Sequence, residues 1–310
     1  MHAVLNAALP LFALILTGFL CGLGGLFSRI ATNNLNRFAV YLALPALMFL
    51  AMSKITPEQA RQFGFAIAFG GGMGITFAIG LALSRWRGRR LAAASIEGLV
   101  AGYSNVGFMG IPLCLLVFGP SSLPAAVIAT LFTACVLFLV AIVIIEVDMH
   151  GGSSRWRTVR RVSLALFRNP LLLAPLAGIA VGLSGLALPD PVERFASLLG
   201  GAASPTALVC IGLFLAQEGG ISNDLASVGV LVGLKLLFQP AVTALLAFYV
   251  LQMPPLWSRA AVLLSALPIG SGPFTIAKLY GVNPGVTSGA ILVSHVVSVA
   301  TVSVLVAYLG

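Results

Sequence analysis

Asn105 and Ser271 sit in two stretches, GYSNVGFMGIP (102–112) and ALPIGSGPF (266–274), where Gly, Pro and neutral polar residues interrupt long apolar runs. Gly and Pro are the poorest helix formers. Pro lacks a backbone donor and Gly tolerates unusual dihedrals, so each stretch predicts a helix break with unpaired amides and carbonyls. In an apolar medium such groups must line a cavity or be covered by protein. Half-helix N-termini are expected near Pro112 and Pro273, and their partial positive charge suits an anion. The first break is marked by Gly107, Gly110 and Pro112, and the second by Pro268, Gly270, Gly272 and Pro273. Around them Asn105, Ser104, Tyr103, Ser271 and Thr275 supply neutral donors and acceptors. Reversible binding of a small solute is the chemistry these residues can do.

Charge within apolar runs is costly and marks function. Glu97, Lys235, Lys278 and His295 lie in or at the edge of such runs. Lys235 is followed by Gln239 and Pro240, which turns it toward a bundle interior and makes it the first candidate for holding an anion. Lys278 ends its run and can snorkel to the surface. Glu97 lies within reach of basic residues at 85–90, and an ion pair is expected there. His295, beside Ser294 and Ser298, is a candidate proton carrier or a hydrogen-bonded core residue. His2, His150 and His295 are scattered, and Cys21, Cys114, Cys135 and Cys210 lack paired spacing, so no metal site or cofactor is expected. EVDMH (146–150) is the one cluster an intramembrane enzyme could use, and it has no partner cluster. The chain does not read as an enzyme.

The elements that position these residues follow from composition. The chain has 310 residues, 59% of them hydrophobic and 8% charged, with a mean hydropathy of +1.08. A soluble domain carries roughly 25% charge, so a polytopic helical membrane protein is expected. Apolar runs of about 20 residues recur throughout. With turn signals as punctuation they give ten spans, near 4–27, 34–53, 62–84, 92–118, 122–146, 169–187, 195–217, 225–251, 256–278 and 286–309. The first apolar run has no basic leader and reads as a span rather than a cleaved signal peptide. Odd-numbered connections hold twelve basic residues and even-numbered ones hold four, Lys54, Arg61, Arg194 and Arg259. Basic connections stay cytoplasmic, which puts both termini on the outer side. RWRGRR (85–90) and RWRTVRR (155–161) are expected to anchor at anionic lipid headgroups rather than bind nucleic acid.

The chain also repeats. Shifted by 160 residues, PLFALILTGFLCGLGGL (10–26) falls on PLLLAPLAGIAVGLSGL (170–186) with eight identities in seventeen positions. The same shift places Pro45 on Pro205 and Gly110 on Gly270. Residues 1–150 and 169–310 then form two five-span halves joined by a basic linker, 151–168. An odd span number inverts the second half, and inverted repeats with paired broken helices characterise secondary carriers.

Three stretches, LNRFAVYLALPALMF, SNVGFMGIPL and ALPIGSGPFTIAKLYG, resemble the auxin efflux carrier family, and the likeness runs over all ten spans. The resemblance implies two inverted five-helix repeats in a fold like that of sodium/proton antiporters. It also implies fourth and ninth helices that cross at prolines, with an organic anion bound beside the crossing. On this chain the family's fourth-helix Asn falls on Asn105 and its crossing proline on Pro112. The ninth span reads Ser271-Gly272-Pro273-Phe274 where many members have an Asn after the proline. This GSGPF form is more similar to bacterial members of the malonate or dicarboxylate carrier type. Plant carriers have a long hydrophilic central loop, which the residues from Glu146 to Arg168 do not match. The expectation is a homodimeric inner-membrane carrier of a small organic anion. Spans one, two, six and seven form its scaffold, and spans three to five and eight to ten move in an elevator or rocking motion. A sodium-coupled symporter of the bile acid type and a sensor that binds without transporting are the alternatives.

Overall fold

The computed structural model describes residues 2–149, 169–218 and 224–309. RWRTVRR, His150 and Arg168 lie outside them. The described helices are α1 (His2–Leu23), α2 (Arg29–Ser53), α3 (Phe63–Trp86), α4 (Leu91–Gly102), α5 (Val106–Phe118) and α6 (Pro120–Met149). They continue with α7 (Pro170–Ser184), α8 (Asp190–Gln217), α9 (Leu225–Val250), α10 (Pro255–Ser265), α11 (Gly272–Leu279) and α12 (Gly285–Leu309). Six are long and apolar enough to cross a bilayer: α2, α3 with its lead-in turn from Pro57, α6, α8, α9 and α12. Shorter apolar helices occupy Leu9–Leu23, Leu91–Gly102, Val106–Phe118 and Pro170–Ser184. The architecture is that of an all-helical polytopic membrane protein.

Local chemistry sets the helix ends. Ser28 caps α2 by accepting from the Ala31 amide at 3.2 Å, and Asn169 caps α7 through Leu171 at 3.0 Å. Gly25 and Gly185, at φ +69° and +71°, turn the chain after α1 and α7 in a conformation that favours glycine. Three prolines inside helices are each preceded by a wide turn, whereas Pro10 and Pro175 sit in regular α-helix. π-turns at Ala39–Ala43, Val106–Gly110 and Leu234–Phe238 precede Pro45, Pro112 and Pro240. The wider turn takes up the missing donor and the ring clash. Pro112 therefore lies within α5, and the half-helix expected to begin near it begins at Val106 instead.

Glycines bring two helix pairs together. A methyl group at Gly18 of α1 would overlap the Val209 carbonyl oxygen of α8, and one at Gly178 of α7 would lie 2.5 Å from the Phe49 carbonyl oxygen of α2. The shift that carries Gly18 to Gly178 also carries Phe49 to Val209. Small residues at these points let the backbones touch, as packing within a membrane favours.

Bonds between connections gather at two ends. At one, Arg29 donates to Gln217 O (2.9 Å), Arg89 pairs with Asp224 (2.7 Å), the Ala92 amide donates to Asp148 (3.0 Å) and Tyr280 donates to Glu146 (2.9 Å). These residues belong to odd-numbered connections or their borders. At the other end, Lys54 pairs with Glu193 at 2.6 Å and Arg259 donates to Leu309 O at 3.2 Å. Glu146 and Asp148, the acids of the EVDMH cluster, thus hold structural partners.

Candidate functional site

The two sequence interruptions meet in space. α4 stops at Gly102 and α5 starts at Val106, while α10 stops at Ser265 and α11 starts at Gly272. The backbones between them run antiparallel. Asn105 N donates to Pro268 O at 2.9 Å, and Gly270 N donates to Tyr103 O at 3.2 Å. Ser294 of α12 accepts from Ile269 N at 3.1 Å. Buried backbone groups need such partners, and each break supplies them to the other. Mapping Tyr103 onto Pro268 and Asn105 onto Gly270 exchanges the two bonds, a shift of 165 residues. The register that placed Gly110 on Gly270 is therefore five residues out at the breaks. α4 and α10 begin 164 residues apart, at Leu91 and Pro255, so the extra length accumulates around the third and eighth spans.

The side chains near the crossing divide into two groups. Tyr103 is a packing piece. Its ring stacks on Phe138 at 4.9 Å, and a methyl group at Gly270 or Gly272 would fall within 2.8 Å of it. Ser104 is buried with its hydroxyl unpartnered. Neither lines the polar cavity beside the crossing. Gly110 packs against Leu264 and Leu267, while Gly107 has ordinary contact distances. Pro268 contributes its carbonyl to the crossing, and Pro273 fills the first turn of α11.

That cavity has a volume of about 280 Å³ and lies between α2 and α8 on one side and the breaks and α12 on the other. Asn105, Ser271, Thr275, Lys278 and His295 all line it. Asn105 and His295, 7% and 5% exposed, form its deep end, while Lys278 and Asn33 are exposed at its mouth. Lys278 Nζ lies 4.4 Å over the Phe274 ring, and Phe274 meets Phe214 of α8 edge to face at 5.0 Å. Lys278 supplies a positive charge at the mouth, and among the described residues no Asp or Glu lines the cavity. α11 begins at its wall, and first-turn amides have no partner within the helix. The arrangement suits a small anion.

Thr32, Asn33 and Asn36 complete the polar lining from α2 and were not singled out in the sequence. Their signal was available: ATNNLN (31–36) is a polar run leading into an apolar helix.

The remaining charges lie elsewhere. Lys235 is fully buried in α9, away from the cavity, and donates to Ser265 O at 2.5 Å. One turn on, Gln239 donates to Gly102 O at 3.3 Å. Glu97 pairs with Arg89 at 3.7 Å, as expected, and both line a second cavity of about 360 Å³ with Asp224 and Asn283. Among the described residues no group of three His, Cys, Asp or Glu side chains could hold a metal.

Membrane-length apolar helices, two interlocked helix breaks and a polar cavity against them define a membrane protein built to handle small solutes. The model of the Membrane transport protein family, that of the auxin efflux carriers, matches residues 3–306, and the chain belongs to this family. It is 32% identical to the "Putative malonate transporter" of Rhizobium meliloti over 98% of this chain and 95% of that one. It is 23% identical to the "Uncharacterized transporter YfdV" of Escherichia coli over 68% of each. Auxin efflux carrier component 3a of Oryza sativa is 32% identical over 41% of this chain and 21% of its own length. The chain is thus an integral membrane transporter.

Proposed function

We propose that the protein is a secondary carrier of a small carboxylate anion, with malonate as the leading substrate, which it binds at the crossing of the two breaks. The observation that carries this reading is the polar cavity, lined by no acid among the described residues, that rests on the reciprocal Asn105–Pro268 and Tyr103–Gly270 bonds. Asn105, Ser271 and Thr275 would bind the anion at the crossing, with Lys278 attracting it at the mouth. The relative named for malonate matches nearly the whole chain, which favours a dicarboxylate within this class.

Counting α4–α5 and α10–α11 as one broken span each gives ten spans in two inverted halves. The glycine contacts related by one shift and the self-exchanging bonds at the crossing support that reading. α1, α2, α7 and α8 form the scaffold through which two copies pair, and the other helices move as an elevator carrying the anion. The basic end faces the cytoplasm of a bacterium across its inner membrane, with the termini outside. There Trp86, 85% exposed, and arginines 85–90 meet anionic headgroups.

The test is uptake of labelled malonate into proteoliposomes of the purified chain, with mono- and dicarboxylates as competitors. Saturable uptake that Asn105→Ala lowers without loss of folding supports the reading. Binding without flux would make the protein a sensor instead. Flux that vanishes when sodium is replaced by choline would favour the sodium-coupled alternative.

A further inference from the structure

The wall that α2 and α8 present to the rest of the molecule has two equivalent faces, and their chemistry differs. The contacts of Gly18 with Val209 and of Gly178 with Phe49 fix a shift of 160 residues between these helices. Cys210, Ile211 and Phe214 are the residues by which α8 lines the polar cavity. Under the shift they fall on Leu50, Ala51 and Lys54, at the end of α2. Those three residues line a separate cavity of about 220 Å³, closed by Pro120 and Pro124 at the start of α6. The same shift carries Asn33 of the polar cavity onto Glu193. One face, with Asn33 and Phe214, therefore looks onto the crossing, and its counterpart looks onto the connection between α5 and α6. Where the first face is neutral, the second carries an ion pair, Lys54 with Glu193 at 2.6 Å. The two side chains are 61% and 41% exposed, and a pair this open contributes little to the fold. Little stability is lost when it parts.

We propose that Lys54 binds the carried anion on the second face, and that Glu193 holds the ammonium until the anion displaces it. When the crossing moves along α2 and α8, the face it meets is that of Leu50, Ala51, Lys54 and Glu193. There the Lys54 ammonium leaves one carboxylate for another, exchanging one charge-assisted bond for an equal one. Lys278 travels with α11 and serves the crossing in both positions. Lys54 stays with the wall, so its attraction acts from one side of the membrane alone. Glu193 competes with the solute for Lys54 and sets how readily the anion enters from that side. This inference rests on the elevator reading of the anion carrier and adds the residues that make its two sides unequal.

The experiment measures transport of labelled malonate by the full-length chain from both faces of the membrane. Intact cells and inverted membrane vesicles, from a host with no malonate uptake of its own, give a KM for each face. Lys54→Gln keeps a hydrogen-bond donor and removes the charge. It is expected to raise KM roughly tenfold on one face and to leave the other unchanged. Glu193→Gln frees Lys54 and should lower KM about threefold on that same face. An unchanged KM in Lys54→Gln would overturn the proposal. Equal rises on both faces would also overturn it, because a purely structural tie between α2 and α8 affects both alike. So would a KM that Glu193→Gln does not lower. If Lys54→Gln does not reach the membrane, Glu193→Gln decides: a KM lowered on one face supports the proposal, and any other result overturns it. A wild-type chain that takes up no malonate from either face refutes the carrier reading itself, an outcome distinct from a failure at Lys54.

Discussion

Asn105 and His295 meet across the deep end of the cavity, with Nδ2 of the amide 3.4 Å from Nε2 of the imidazole. His295 Nδ1 lies 2.9 Å from the Ile291 carbonyl oxygen, which can only accept, so Nδ1 carries the hydrogen and Nε2 accepts from Asn105. One amide hydrogen of Asn105 is then spent on orientation, and the other remains for a bound carboxylate. His295 thus fixes the rotamer of the proposed ligand. Asn105→Ala should weaken malonate binding by about 1.5–3 kcal/mol, or roughly tenfold to a hundredfold, the worth of a hydrogen bond to a charged group. His295→Leu should cost less, and the double variant should match Asn105→Ala, because the two act as a unit. Calorimetric titration of the three variants checks this. Full additivity would separate the two residues.

Tyr103 makes a different kind of contribution. Gly272 admits the Tyr103 and Phe138 rings where a methyl group would overlap both. Gly272→Ala should therefore displace the aromatic pair, shift the break and abolish most uptake. Adding Phe138→Leu to it should recover part of the uptake, since the ring nearest the added methyl group, at 2.4 Å, is gone. Uptake assays with melting temperatures recorded in parallel distinguish a displaced break from an unfolded chain. Wild-type uptake in the Gly272→Ala variant would show that the ring contact is slack.

The breaks themselves were legible as Gly, Pro and Asn in apolar runs, because backbone polarity in a membrane has few sequence disguises. Their position was legible to within several residues. Pro112 drew attention as the break because proline opposes helix, yet a π-turn before it takes up the strain and the chain actually opens at Tyr103–Asn105. The pairing register was not legible, because an ungapped shift fitted to the first and sixth spans cannot see residues inserted later in one half. Tyr103 and Lys235 were legible as unusual residues, but their roles were not. Whether a polar side chain faces a cavity or the back of a crossing depends on rotation about helices that sequence leaves free. Asn33 and Asn36 were missed for the converse reason: a polar run at a helix start looks like an ordinary membrane border.

The glycine contacts at Gly18 and Gly178 allow a paired test of the repeat. Alanine at either position places a methyl group within 2.5 Å of a backbone oxygen, which cannot yield without helix displacement. Each substitution should destabilise by about 1–3 kcal/mol, the usual cost of overpacking. Gly74→Ala is the control, since nothing lies within 4 Å of its position and alanine favours helix. Thermal unfolding in detergent should show similar losses for Gly18→Ala and Gly178→Ala and none for Gly74→Ala. A large loss in one half alone would deny the equivalence of the two contacts.

Asp224 ties α9 to the connection before α4. Its carboxylate accepts from Ser227 N at 3.0 Å and Ser227 Oγ at 2.8 Å and pairs with Arg89 at 2.7 Å. The Ser227 hydrogen bonds first, and the Arg89 and Arg87 charges after them, hold its pKa below the ordinary 3.8. A carboxylate with a depressed folded value stabilises the fold fully above its unfolded pKa and loses that contribution as pH falls through the folded one. The difference in melting temperature between wild type and Asp224→Asn should therefore stay constant from neutral pH down to about pH 5 and shrink only below about pH 4. Arg89→Gln should reduce that difference at neutral pH, since it removes the ion pair and leaves the Ser227 bonds. Because Arg89 also pairs with Glu97, the same variant should loosen the cavity that these residues share, readable as faster hydrogen exchange at the start of α4. An Asp224→Asn effect that faded near pH 6 would assign the stabilisation to a different titrating group.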